Sequence, residues 1–200
     1  MFDSTLRRLV DPPLNRAARS LVDSRVSANA LTIVGTLIGL AAATAISQQQ
    51  FVAGLVLILL NRIFDGLDGA VARINGPTEF GGYLDTLADF LFYVSVPVAF
   101  GYAASGNLFP ALLLAASFTL TAVSFLAFAA IAARRGDKDG VHGPKAFIYS
   151  TGLMEGGETI AFFIMFCLFP AYFPALALTF AALCLLTVTQ RTMLAAKSFA

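Results

Sequence analysis

The chain has 200 residues, 58% of them hydrophobic and 12% charged, with a net charge of +1 and a mean hydropathy of +0.80. A soluble domain carries about 25% charged residues, so this composition excludes a water-solvated globule, points to a bilayer as solvent and gives no basis for a nucleic-acid partner. Cys167 and Cys184 both fall inside apolar runs, which leaves them as reduced packing residues and excludes a disulfide scaffold or thiolate metal site.

Residues 1–27 form the first predicted unit, a cytoplasmic interfacial helix. Its leading residues are charged and polar, with no short apolar stretch ending in a small-residue cleavage site, so no cleavable signal is expected. Asp11-Pro12 is a helix-start pair. From there Leu14, Ala17, Ala18, Leu21 and Val22 recur at helical spacing, with Arg16 and Arg19 off the stripe. That pattern predicts a short amphipathic helix on the membrane surface, its cations toward anionic headgroups.

Residues 28–200 form the second unit, a membrane domain. A spanning helix needs about 20 predominantly apolar residues. Six stretches qualify: Ala30–Ser47, Phe51–Ile74, Gly82–Ser105, Leu108–Ala133, Phe147–Phe169 and Pro174–Ala196. The breaks at 48–50, 106–107 and 170–173 carry no charge, whereas all 13 Lys and Arg can be placed on the opposite side. The positive-inside rule makes that side cytoplasmic and puts both termini there. The fold class is therefore all-α integral membrane, with six transmembrane helices and an N-terminal interfacial amphipathic helix. Gly35-x-x-x-Gly39 and Gly152-x-x-x-Gly156 suit close helix packing.

Ionisable groups inside spans are costly and mark function. Asp65, Asp68, Asp85 and Asp89 lie near the cytoplasmic ends of spans two and three. Asp65, Asp68, Gly69, Ala72 and Arg73 share one helical face, and Asp85 and Asp89 are one turn apart. A short connection predicts antiparallel packing of the two helices, which lets both pairs converge. Four carboxylates so placed repel one another strongly. Two hard divalent cations, Mg2+ or Mn2+, resolve that conflict and form a general device for phosphoryl displacement. Gly66, Gly69, Ala70 and Ala72 leave room for a bulky ligand, and Arg73 can meet a phosphate bidentately.

The run Asp65-x-x-Asp68-Gly69-x-x-Ala72-Arg73, seven residues, Gly81-x-x-x-Asp85-x-x-x-Asp89 resembles the signature of the CDP-alcohol phosphatidyltransferase family. The resemblance implies that Asp65, Asp68, Asp85 and Asp89 hold two divalent ions and that Asp89 is also the general base. It implies that Gly69, Ala72, Arg73 and Gly81 line the pocket for a CDP-linked lipid, CDP-diacylglycerol. Asn29-x-Leu31-Thr32 is similar to the family's entry to the first span, with Ala28 in place of a proline, which adds Asn29 and Thr32 to the nucleotide contacts. The expected reaction is direct transfer of a phosphatidyl group to a hydroxyl acceptor with release of CMP, by an enzyme that is a homodimer like other members. The stretch Gly152–Thr159 is similar to a small bacterial branch of the family, implying a bacterial inner membrane with the active site facing the cytoplasm.

The acceptor is the least determined element. Glu155 and Glu158 share a face in span five. They are either half of an ion pair, with Arg191 or Lys145 as candidates, or contacts for an acceptor rich in hydroxyls or bearing an amine. Arg134, Arg135 and Lys145 flank the fourth connection, where they are either topology-setting cations or a site for an acceptor phosphate. Glycerol 3-phosphate is the acceptor named first; serine, inositol phosphate, another polyol and a lipid hydroxyl are the alternatives. A cation transporter with intramembrane carboxylates is the reading from a different class.

Overall fold

The computed structural model describes residues 3–135, 154 and 156–199, with side chains from Pro12 onward. Lys138, His142, Lys145, Gly152 and Glu155 lie outside the described residues. Within them every regular element is helical: α1 (Asp3–Asp23), α2 (Ala28–Ser47), α3 (Phe51–Asn75), α4 (Glu79–Ala103), α5 (Leu108–Arg134), α6 (Gly156–Leu168) and α7 (Phe173–Phe199). Single 3-10 turns at Ser105–Asn107 and Pro170–Tyr172 lead into α5 and α7.

Four helical stretches are long and apolar enough to cross a membrane: Ala28–Ser47, Glu79–Ala103, Ser105–Arg134 and Pro170–Phe199. Helix α3 has 25 residues but is charged at Arg62, Asp65, Asp68 and Arg73, and the described part of α6 has 13. Each of these six helices falls on one of the apolar stretches expected from the sequence.

Local chemistry sets the helix ends. Ser27 caps α2 by accepting from the Ala30 amide at 3.2 Å, and Thr78 caps α4 by accepting from Gly81 at 3.0 Å. Helix α2 ends in a turn where the Gln50 and Gln49 amides donate back to Ala45 and Ile46, with Gln49 left-handed at φ 62°. A glutamine tolerates that conformation here because its side chain donates to the Ala103 carbonyl at 2.8 Å, satisfying the end of α4. Asn107 does the same for the Phe100 carbonyl.

The N-terminal helix departs from the sequence pattern in two ways. It starts at Asp3 instead of at Asp11-Pro12, with Pro12 and Pro13 inside it. Proline's fixed φ is helical, so the pair is accommodated by forgoing two i→i−4 bonds. Its apolar stripe also faces protein: Ala18, Leu21 and Val22 pack with Ala70 and Val71 of α3, and Leu14 lies over Gly66. Ala17, Arg16 and Arg19 are on the exposed side.

Helix α2 packs closely on both α3 and α4, whereas α3 and α4 hardly approach each other. The expected antiparallel α3–α4 pair is therefore replaced by a wedge. The cause lies in the α2 glycines. A Cβ on Gly35 would sit 3.2 Å from Cβ of Phe64, and one on Gly39 would sit 2.9 Å from the Phe92 ring and 3.2 Å from Asn61. The Gly35-x-x-x-Gly39 stripe is thus a packing seam, as its spacing indicates.

Behind this wedge, aromatic rings fill the bundle. Phe100 stacks on Phe173 with centroids 4.6 Å apart, Phe162 on Phe180 at 4.3 Å, and Phe163 meets Phe92 and Phe118 edge-on. In lipid, apolar burial gains little by transfer, so such pairs hold the helices mainly by packing, at about 0.5–1.5 kcal/mol each. Cys167 and Cys184 are free thiols in this core.

The wedge can be tested by substitution. Phe92 is a buried ring that an added Cβ would meet at 2.9 Å, so Gly39→Ala should destabilise the detergent-solubilised protein by about 1–3 kcal/mol. Gly82→Ala, where an added Cβ meets nothing within 4 Å, should be neutral or mildly stabilising. Equal thermal unfolding of both variants would show that α2 does not seat through Gly39.

Candidate functional site

The site lies where the C-terminal half of α3 faces the N-terminal half of α4, with α2 behind. Asp65 and Asp68 come from α3 and Asp85 from α4, and each offers a carboxylate oxygen within 4.8 Å of the others. Asp68 is buried, while Asp65 is half-buried and Asp85 exposed. Helical spacing sets this arrangement: the i, i+3 pair on α3 presents two carboxylates on one face, and the wedge brings Asp85 within side-chain reach.

Asp68 is held from behind. The Thr32 hydroxyl of α2 donates to its Oδ2 at 2.7 Å, a buried bond. Thr32, expected from the sequence to contact nucleotide, lies on a carboxylate of the cluster, where it fixes the side chain. Thr32, Gly35, Thr36, Asn61, Arg62, Asp65, Asp68, Ala88 and Asp89 line one small pocket.

Asp89 stands apart from the three-carboxylate cluster. Its Oδ1 accepts from Arg62 Nη1 at 3.1 Å, and the same nitrogen lies 3.5 Å from Asp65 Oδ2. The Arg62 guanidinium also sits over the Phe92 ring, 4.6 Å from its centroid, and 5.8 Å from that of Tyr93. Its Nε donates to Asn61 Oδ1 at 2.8 Å, and Asn61 Nδ2 in turn donates to the Gly35 carbonyl. Sequence reasoning counts Arg62 only as a cytoplasmic-side cation and passes over Asn61. The signal was present, because Arg62 precedes Asp65 by three residues and so shares its face, and Asn61 is a polar residue in an apolar run.

The remaining signature residues ring the cluster. Arg73 is exposed and its Nη1 lies 3.4 Å from where a Gly69 Cβ would be, so the absence of a side chain at Gly69 lets the guanidinium lie along the helix. A Cβ on Gly81 would come 2.9 Å from Thr78 Oγ1 and 3.2 Å from Asn29 Oδ1, which brings the starts of α2 and α4 together beside the acids. Ala72 is half-buried on the same face of α3.

Among the described residues, the acceptor candidates Arg134, Arg135 and Glu158 do not line this pocket. Arg135 donates to the carbonyls of Ser198 and Phe199 at 3.0 and 2.8 Å, tying α5 to the end of α7 where cations complement the helix dipole. Arg134 is exposed. Arg191 is buried and reaches α5, donating to the Thr121 carbonyl at 3.1 Å, and Glu158 is half-buried in the first turn of α6.

The donor set fits a hard divalent cation. An ion with oxygen ligands at about 2.0–2.6 Å spans oxygens roughly 4–5 Å apart across its centre, and three carboxylates supply the charge without soft or nitrogen ligands. Asp68, buried and with one oxygen bonded to Thr32, is already oriented for such a ligand role.

Comparison with known proteins agrees with this chemistry. A family model described as CDP-alcohol phosphatidyltransferase matches residues 25–196. A protein of Escherichia coli (strain K12) named inner membrane protein YnjF is 43% identical over 192 residues, spanning 96% of this chain and 93% of its own. Archaetidylinositol phosphate synthase of Pyrococcus horikoshii is 39% identical over 105 residues, 52% of this chain and 54% of its own. The crystal structure of Mycobacterium tuberculosis phosphatidylinositol phosphate synthase (PgsA1) with CDP-DAG bound matches with a TM-score of 0.66 at 23% identity, over 90% of this chain and 92% of that one. The same protein with manganese and citrate matches at 0.65 and 21% identity, over 90% and 88%; at these identities the two structures speak to the fold. The family match sets aside the transporter alternative: the chain belongs to the CDP-alcohol phosphatidyltransferase family, and is a multi-pass membrane phosphatidyltransferase of phospholipid synthesis.

Proposed function

We propose that the enzyme transfers a phosphatidyl group from CDP-diacylglycerol to a small hydroxyl acceptor at the cytoplasmic face of a bacterial inner membrane, releasing CMP. The observation that carries this reading is the convergence of Asp65, Asp68 and Asp85 beside an Asp89 oriented by Arg62. The M. tuberculosis enzyme of like fold has been solved with CDP-DAG and with manganese, which supports the same donor and kind of ion here.

In this reading Asp65, Asp68 and Asp85, with Asp89 joining them, hold two divalent cations, Mg2+ or Mn2+. When bound, those ions polarise the pyrophosphate and stabilise charge on attacking and leaving oxygens. The protein does the rest. Thr32 keeps Asp68 in place, Gly69, Ala72 and Gly81 leave room for the nucleotide, and Asn29 and Thr32 are candidates to contact it. Arg73 offers two parallel N–H donors to a phosphate. Asp89 takes the proton from the acceptor hydroxyl. The freed oxygen bonds to the lipid-side phosphorus as the bond to CMP breaks.

The topology proposed is six spans with both termini cytoplasmic, in a homodimer. Two contacts support a shared cytoplasmic face: α1 docks on the acidic end of α3, and Arg135 joins the ends of α5 and α7. For the acceptor, likeness to archaetidylinositol phosphate synthases favours an inositol phosphate over glycerol 3-phosphate. Arg134, Lys145, Glu155 and Glu158 are the candidates for contacting it; Arg135 is a weaker one, because two carbonyls already occupy its guanidinium.

Radiolabelled CDP-diacylglycerol incubated with purified enzyme, Mg2+ and a panel of inositol phosphate, glycerol 3-phosphate, serine and lipid hydroxyls should yield CMP and one new phospholipid, and EDTA should stop both. No product from any acceptor would contradict the reaction. Asp89→Asn should lower turnover by about 10²–10⁴-fold with thermal unfolding unchanged, and substantial residual activity would remove Asp89 from the role of base. Thr32→Val should weaken Mn2+ binding by about tenfold, the usual result of losing the partner of a ligand, while Thr32→Ser should not. Equal Mn2+ binding by both variants would show that Thr32 does not orient a ligand.

A further inference from the structure

Arg62 is built into this site more firmly than a topology-setting cation requires. Its side chain is 19% exposed, it faces two of the four acids, and it is bracketed by Phe92 and Tyr93 of α4. Asn61 fixes the guanidinium from the side, and is itself anchored on α2 through the Gly35 carbonyl. The arrangement divides the four carboxylates. Asp65, Asp68 and Asp85 converge on one point, while Asp89 is held by the guanidinium.

We propose that Arg62 is a positioning residue that occupies Asp89 in the substrate-free enzyme, so that the three-carboxylate cluster loads one divalent cation and the second joins only with the CDP-lipid. The incoming pyrophosphate supplies the anion that Arg62 needs in exchange for Asp89, because a guanidinium pairs with phosphate oxygens as well as with a carboxylate. Release of Asp89 then completes the second metal position and frees the base beside the acceptor. An ordered site follows: donor binding precedes full metal loading. This inference rests on the metal-site reading above.

The test is Mn2+ binding to the full-length protein in detergent without nucleotide, read by electron paramagnetic resonance of the free ion. The wild type should bind one tight equivalent. Arg62→Met, which keeps the length of the side chain and removes its charge, should bind two, and Arg62→Met/Asp89→Asn should return to one. With Arg62 intact, Asp89→Asn should leave the first site's affinity within about twofold, since an oriented ligand partner would cost 10–100-fold. Two tight equivalents in the wild type, one in Arg62→Met, or two retained in the double variant would each overturn the proposal. So would a large loss of affinity in Asp89→Asn, a comparison that decides the matter even if Arg62→Met does not fold. Those results leave the metal site standing. Binding that is absent in the wild type, or that survives Asp68→Asn, would instead refute the site and the proposed function with it.

Discussion

Mutual repulsion among carboxylates is the constraint around which this bundle is arranged. Bringing Asp65, Asp68 and Asp85 together is unfavourable unless positive charge is supplied. The protein supplies some of it internally, through Arg62, and in the proposed function a divalent ion supplies the remainder. For the proposed reaction the helices must be close enough for side chains to meet, yet open enough to admit an ion and a pyrophosphate. A directly packed α3–α4 pair would close that space. The wedge of α2, seated through Gly35 and Gly39, keeps the two acidic faces apart by the reach of an aspartate. From its buried side α2 also contributes Thr32 to Asp68.

The distribution of rigidity follows the same logic. The aromatic bundle of α4, α5, α6 and α7 is packed through ring contacts from Phe118 to Phe173, giving α4 a firm backing. Helix α1 braces the opposite side: Leu14 and Ala18 close over Gly66 and Val71, on the α3 turn that carries the acids. That contact gives the small residues of the signature a second use. Gly66 admits a side chain from α1, while Gly69 leaves room along the face that carries Arg73.

Much of this was legible in the sequence because membrane solvent makes simple rules strong. Apolar runs mark helices, and a charged residue inside one has few innocent explanations. Asp65 and Asp68 could be placed on one face from spacing alone, and Asp85 at matching depth. The wedge was not legible, because a short α3–α4 connection says that two helices are neighbours in sequence, not that their backbones touch; the glycines that decide it sit on a third helix. The docking of α1 was hidden for a similar reason. An amphipathic stripe reports that an apolar partner exists, and lipid and protein satisfy it equally. Arg62 was read through the positive-inside rule, which accounts for cations so readily that it conceals one with a local role.

The central claim is that Asp65, Asp68 and Asp85 together coordinate a divalent cation between α3 and α4. Anomalous diffraction from crystals grown with Mn2+ and CDP-diacylglycerol measures this directly. The account predicts manganese peaks bonded to oxygens of all three carboxylates, with the pyrophosphate alongside. Well-ordered nucleotide with those three side chains turned apart, and no anomalous signal among them, would contradict it.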